Sequence, residues 1–391
     1  MELLRRTWAE INLDHLEYNY RKLRSHVGKE CKYLGVVKAD AYGHGAVQIS
    51  HTLEELGADY LAVSNLEEAV QLRRVDVKLP VLLLGYTPSR YAKEMAKMGI
   101  RQEIHSIEYA RNLNEQLRGT DLVLPVHFKV DTGMSRLGIP AQNAEYALDQ
   151  ILSISKLRHL QPEGIFTHFP VADSLDPEDQ AYTRNQFEQF RQIWQGLEDA
   201  GLKGLIRHCA NSGATIQYPE FALDMVRPGI ATYGLSPEPG LAPMLSLKPL
   251  MTLRTTVSQV RHFEPGTYIS YGRTFQTQMP TRVAVLPIGY ADGLPRRLSN
   301  HVSFLLRGEQ VPVVGRICMD MCMVDISKVE GNIQPGDEVV VFGAVPGANS
   351  CDALAAQLDT ISYELTCDIN KRMTRLYMKQ GKQVGILQYI V

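Results

Sequence analysis

"KYLGVVKADAYGHGAVQISHTLEELG", residues 32–57, carries the decision about the fold. "KYLGVVK" reads as a short buried strand, and "AVQISHTLEELG" comes next with helical periodicity and a glycine stop. The same unit recurs along the chain. "DYLAVS" precedes "NLEEAVQLRRV", where Ser64 or Asn65 can cap a helix and Glu67 and Glu68 suit its first turn. "PVLLLGY" precedes "SRYAKEMAKMG", "LPVHFKV" precedes "AQNAEYALDQILS", and "EGIFTHF" precedes "PEDQAYTRNQFEQFRQIWQGLEDAG". "LIRHCA" leads into "NSGATIQY", then "MVRPGIATYG"; with the weaker "IRQEIHS" the count of strand-like units reaches about eight. Apolar strands separated by helices imply a parallel sheet covered on its faces. Eight units in about 200 residues favour a closed (β/α)₈ barrel of the TIM type over an open doubly wound sheet.

After "LSPEPGLAP" the texture changes. "MTLRTTVSQVRHF", "TYISYGRTF", "RVAVLPIGYADG", "HVSFLLRGEQVPVVGRI", "MCMVDIS" and "DEVVVFG" are β-rich runs split by Gly, Pro and Asp turns. The expected division is therefore an α/β barrel over residues 1–240 and an all-β C-terminal domain over 241–391, closed by a helical stretch near 351–370. No repeat or low-complexity segment interrupts either part.

Composition narrows the function classes. With 391 residues, a formal charge of −2 and 21% charged residues, the chain offers no field that would gather nucleic acid or an anionic membrane. No apolar run is long enough for a membrane span, and "MELLRRTWAEINLDHL" lacks the apolar core of a signal peptide. Six cysteines without a CxxC pair suit a reducing compartment, so a cytoplasmic location is expected. Eleven histidines occur without HExxH or a compact Cys/His cluster, so no catalytic metal is expected.

In a barrel, chemistry collects where strands end. Polar residues that terminate apolar runs are Lys38, Ser64, His105, Lys129 with Asp131, His168, Asn211 and Arg227. Any one of them can be a residue leaving the core for solvent; several converging on one rim form a candidate site. A lysine ending a buried strand is desolvated, which lowers its pKa and frees its amine towards aldehydes such as pyridoxal 5'-phosphate. Gly43 and Gly45 let backbone approach a ligand closely. "NSGAT" and "RPGIA" put small residues at strand-to-helix turns, where N–H groups can meet a phosphate.

At this point the residues resemble a family. "VVKADAYGHG" closely resembles the cofactor-lysine motif of bacterial alanine racemases. "HFKVDTGMSRLGI", "THF", "HCANSGAT", "VRPGIATYG", "ISYGRTF", "GYADGLPR", "GRICMDMCMVDI" and "TISYELTCDI" resemble further motifs of that family in its order, covering residues 7 to about 377. The resemblance implies a barrel followed by a β domain that the extreme N-terminus joins. It also implies a homodimer dependent on pyridoxal phosphate, interconverting L- and D-alanine and supplying D-alanine for peptidoglycan. Lys38 becomes the cofactor lysine and one catalytic base; Tyr271, from the second subunit, becomes the other, linked through His168 to Arg227. Arg227 would face the pyridine nitrogen. Tyr42, Ser212, Tyr363 and the backbone of Gly229 and Ile230 would hold the phosphate. Arg136 and Met319 would meet the substrate carboxylate, Tyr290 would gate the entrance, and Lys129 matches a position the family often carbamylates. Asp173, Arg296, Arg316 and Ile361 resemble an outer corridor.

"THFPVAD" departs from the family at Pro170 and Val171, and "CDINKRMTRLY" replaces a tail that commonly carries more glycine and proline. Serine racemases share most of the motifs, so a serine or broader-specificity racemase of the same fold is the alternative within the family. Tyr363 would crowd a larger side chain, which favours alanine. A decarboxylase of similar build would be expected to lack the Tyr271 motif and the ring-nitrogen arginine. A barrel-only cofactor carrier would not need a β domain.

Overall fold

The computed structural model describes residues 6–390. Eight parallel strands form the barrel sheet: β2 (Lys32–Val36), β3 (Tyr60–Val63), β4 (Val81–Leu83), β5 (Ile100–Ile104), β6 (Leu124–Asp131), β8 (Leu160–Phe166), β9 (Ile206–His208) and β10 (Met225–Val226). A two-residue β7 (Ile139–Pro140) adds to β6 outside this ring. β10 pairs with β2, which returns the sheet towards its start. β9 and β10 are joined by Asp224 N–H to Arg207 O (3.2 Å) and Arg227 N–H to Ala210 O (2.9 Å), so the ring is nearly closed.

Helices follow the strands as their signals dictate. Asn65, Ser106, Asn143 and Asn211 each accept a backbone N–H from the first turn of the next helix. The capping choice between Ser64 and Asn65 falls to Asn65, because its side chain is the one that reaches Glu68 N. The longest helix, Pro177–Asp199, starts behind Asp176 with proline in its first turn. A 15-residue helix, Leu13–Val27, precedes the barrel and has no counterpart in the sequence reading. It buries Leu13, Leu16, Tyr20 and Leu23 at 3–4-residue spacing.

The β-rich part is built on a seven-stranded sheet. Its centre holds β1 (Thr7–Asn12), antiparallel to β11 (Met251–Thr256) and parallel to the late strand Thr374–Lys379. From Thr7 the path thus runs in this sheet, passes through the barrel and returns. A smaller sheet joins Gln259–Phe263, Thr281–Leu286 and Cys322–Asp325. Tyr271 sits in a short turn, Tyr271–Arg273, between the two-residue strands Tyr268–Ile269 and Phe275–Gln276. Helices Cys351–Leu358 and Ser362–Cys367 bring this part back against the barrel's loop at Gly43.

Candidate active site

Lys38 leaves β2 at the C-terminal face, and the four residues beyond it do not form an ordinary helix. Ala39, Asp40, Ala41 and Tyr42 have φ of 51°, 55°, 53° and 53°: one left-handed turn made of residues that carry Cβ atoms. Such geometry costs roughly 1–2 kcal/mol per residue for L-amino acids, so neighbours must hold it. Glu68 accepts the Ala39 N–H at 2.6 Å and the Ser64 N–H at 2.8 Å, and Asp40 Oδ1 accepts the Ala46 N–H at 2.9 Å. Gly43 and Gly45 are required by close approach as much as by their positive φ. A Cβ on Gly43 would lie 1.9 Å from Thr366 O, and one on Gly45 would lie 1.8 Å from the Tyr377 hydroxyl. Gly43→Ala is therefore expected to destabilise the protein by about 3 kcal/mol or more, read as a fall in denaturation midpoint.

The turn opens onto a cavity of about 720 Å³, large enough for a small cofactor with its substrate. Lys38, Tyr42, Lys129, Arg136, His168, Ser212, Arg227, Gly229, Ile230 and Tyr363 all line it, with Asp173 and Ile361. Tyr271, Tyr290, Met319, Arg296 and Arg316 do not line this cavity. Tyr271 is 70% exposed and Met319 53% exposed in the single chain.

Burial sets the electrostatics. It lowers the Lys38 amine pKa, reinforced by the nearby Arg136 guanidinium. Lys129 is pulled down to about 8, again chiefly by burial. Burial, then Arg227, pushes His168 well below the usual histidine range, so its imidazole is neutral. The Tyr42 and Tyr363 phenols are driven well up by burial and stay protonated.

Arg227 is the anchor of the barrel interior. Its guanidinium donates to Thr167 O at 2.8 Å and Cys209 O at 3.3 Å, to His208 Nδ1 at 3.1 Å and to His168 Nδ1 at 3.4 Å. Burial lowers its pKa only to about 10, so it keeps its charge. A guanidinium can only donate, which makes His208 Nδ1 an acceptor and puts the proton on Nε2. That nitrogen meets His127 Nδ1 at 2.8 Å, and His127 Nε2 faces Glu163 Oε1 at 3.4 Å. Tyr60 and Arg101 also donate to Glu163. Burial raises the Glu163 pKa, but the hydrogen bonds from His127 and Arg101 outweigh it and leave the carboxyl at about 2.

His127, Glu163 and His208 are not singled out by the sequence reading. The signal for His127 and Glu163 is nonetheless there: polar residues in mid-strand, where alternate positions of a barrel point inward, while His208 is the last residue of β9. The acid behaviour of the three derives from burial of the two histidines and from the hydrogen bonds that Glu163 accepts. His127 and His208, held neutral in the fold, take up protons on unfolding below about pH 6.5, and Glu163 adds its own uptake below about 4.5. Stability should fall as pH drops through 6.5, by about 1.4 kcal/mol per unit for each proton, and more steeply towards pH 4. Calorimetry across pH 4–8 checks this; a flat profile would contradict it.

Proteins of similar sequence and shape are known. The family model "Alanine racemase, N-terminal domain" matches residues 11–237, and "Alanine racemase, C-terminal domain" matches residues 250–377. The chain is 42% identical over 388 residues to alanine racemase 2 of Caldanaerobacter subterraneus subsp. tengcongensis, covering 99% of this chain and 98% of that one. It is 42% identical over 391 residues to an alanine racemase of Clostridium tetani, covering 99% of each. Among solved structures, an alanine racemase of Clostridium difficile 630 superposes with a TM-score of 0.94 at 38% identity, with 100% of each chain covered. One from Bacillus anthracis, solved with bound L-Ala-P, gives 0.92 at 31% identity, covering 100% of this chain and 99% of that one. Both halves of the sequence, and the fold that joins them, lead to one conclusion: the chain belongs to the alanine racemase family.

Proposed function

We propose that the chain is an isomerase, an alanine racemase that interconverts L- and D-alanine with pyridoxal 5'-phosphate and two bases, Lys38 and Tyr271. The observation that carries this is the shared cavity of Lys38, Arg136 and Arg227, in which burial and neighbouring charge favour the neutral, reactive form of the lysine amine.

The cavity's residues fit the cofactor. Gly229 lacks a Cβ where one would lie 2.5 Å from the Tyr42 hydroxyl, so backbone and phenol approach together as a phosphate would need. Ser212, Ile230 and Tyr363 complete that end of the lining, while Lys38 offers an amine and Arg227 a permanent donor for the ring nitrogen. Pyridoxal phosphate supplies a conjugated system that accepts the electron pair left when the Cα proton departs. Lys38 removes or returns that proton on one face of Cα. Arg136 holds the substrate carboxylate, for which a planar guanidinium is suited. Carbamylation of Lys129 would give Arg136 an anion to lean on, and burial, which lowers its pKa to about 8, raises the share of neutral amine that this modification needs.

Inversion needs a second base on the opposite face. Tyr271 and Met319 lie outside the cavity of their own chain and are exposed, which supports their serving the site of a second copy in a homodimer. Tyr290, also exposed, is read as the entrance gate of that shared site; Asp173 and Ile361, which line the cavity itself, and Arg296 and Arg316, which do not, are read as its corridor. The division into a barrel up to about 240 and a β-rich domain beyond it accompanies this arrangement. D-Alanine for peptidoglycan is the inferred product use. Among the described residues no helix is long and apolar enough to cross a membrane, and six cysteines are free. Both features support a cytoplasmic location.

Purified protein loaded with pyridoxal phosphate and given L-alanine should produce D-alanine up to an equal mixture, measured by chiral chromatography. Release of carbon dioxide instead, or no change, would reject the assignment. L-Serine should be turned over roughly 10-fold or more less efficiently, because Tyr363 narrows the cavity; parity would favour the serine or broader-specificity reading.

A further inference from the structure

The left-handed turn after Lys38 must be held from outside, and much of what holds it comes from the far end of the chain. The last strand, Lys382–Leu387, runs antiparallel to Thr374–Lys379 and delivers Tyr389 to the turn. The Tyr389 hydroxyl donates to Asp40 Oδ2, while Asp40 Oδ1 takes the Ala46 N–H. One carboxylate inside the turn thus ties the start of the next helix to the C-terminal segment.

The support continues behind the phenol. The Arg375 guanidinium lies 5.4 Å from the Tyr389 ring centroid and the Lys371 ammonium 5.6 Å, so the ring sits between cations and a carboxylate. Arg375 is 1% exposed; it donates to Gly43 O at 3.2 Å and to the carbonyls of Ile369, Asn370 and Met373, each at 2.7 Å. Tyr377 donates to His44 O at 3.1 Å. Asp40, Gly43 and His44 are therefore all gripped by residues 375–389.

We infer that Tyr389, acting through Asp40 and backed by Arg375, is a positioning residue for Lys38: the C-terminal segment is a strap that keeps the strained turn left-handed. Relaxation of Ala39 towards ordinary backbone geometry redirects the end of β2, and with it the amine. This rests on reading Lys38 as the cofactor lysine. It also gives the final residues a task unconnected with the substrate.

Tyr389→Phe removes one hydroxyl and keeps the ring over Arg375; a chain ending at Gln388 removes the strap's tip. In both, amide hydrogen exchange over residues 39–46 of the cofactor-free protein should rise at least about tenfold, with peptides from β3 to β6 unchanged. Pyridoxal phosphate should leave the loaded protein at least about tenfold faster, followed by absorbance after gel filtration. The thermal midpoint should stay where it was. Unchanged exchange over 39–46 overturns the strap. Faster exchange everywhere with a lower midpoint overturns it too, since the tail then serves only general stability. Faster local exchange with unaltered cofactor release overturns the link to Lys38. A parent protein that never binds pyridoxal phosphate sinks the proposed function instead, and exchange in the cofactor-free chain still decides whether the strap exists.

Discussion

Lys38→Ala is expected to lower kcat for racemisation in both directions by on the order of 10⁴-fold, because one change removes the amine that grips the cofactor and the base that serves one face of Cα. The fold should survive. Lys38 lies two residues beyond β2, its own backbone is not among the left-handed residues, and its removal leaves no buried partner charge unpaired among the hydrogen bonds of the turn. Borohydride treatment of the loaded parent protein should fix the cofactor's mass on the peptide carrying Lys38, and the alanine variant should take up none. A label on another lysine, or a variant with near-parent turnover, would remove the basis of the assignment. Lys129 is the control that matters: it lines the same cavity and its amine is also depressed, to about 8, so site-specific labelling has to separate two reactive lysines.

Tyr271→Phe should slow proton abstraction from one alanine enantiomer by roughly 10²–10⁴-fold and from the other much less, because it removes the base on one face only. Net turnover at equilibrium is the same in both directions, so the asymmetry must be read from solvent deuterium exchange into each enantiomer separately. Equal loss from both would deny Tyr271 a one-sided role. The second copy supplies its own test. Lys38→Ala and Tyr271→Phe chains, each nearly inactive alone, should regain about a quarter of parent activity when refolded together in equal amounts. Random pairing makes half the dimers mixed, and each mixed dimer carries one intact site of its two. No recovery would mean that both residues act within one chain. The cavity offers the cations to assist such a phenol: Arg136 and Arg227 line it, and positive charge nearby favours phenolate.

Strand and helix alternation is plainest in the sequence where a barrel strand is buried on both faces and reads as an unbroken apolar run, as "YLAV" and "VLL" do in β3 and β4. The rim is plain for a related reason: Lys38, His168 and Arg227 stand where those runs stop, and all three line the cavity. Leu13–Val27 is less visible because its apolar positions are diluted by charged neighbours on the exposed side. The left-handed turn is nearly invisible: "ADAY" carries no glycine, and only Asp40 is of a type that tolerates positive φ. Only the surroundings, from Glu68 on one side to Thr366, Arg375 and Tyr389 on the other, impose it.

The chain by itself therefore determined the period of its elements, the residues that end its strands and the family they resemble, since each is written in neighbouring positions. Tertiary structure alone decided which distant groups meet. It fixed the tautomers from Arg227 through His208 and His127 to Glu163, and joined residue 40 to residue 389. Such contacts arise from closure of the barrel and return of the tail, and no local pattern encodes them.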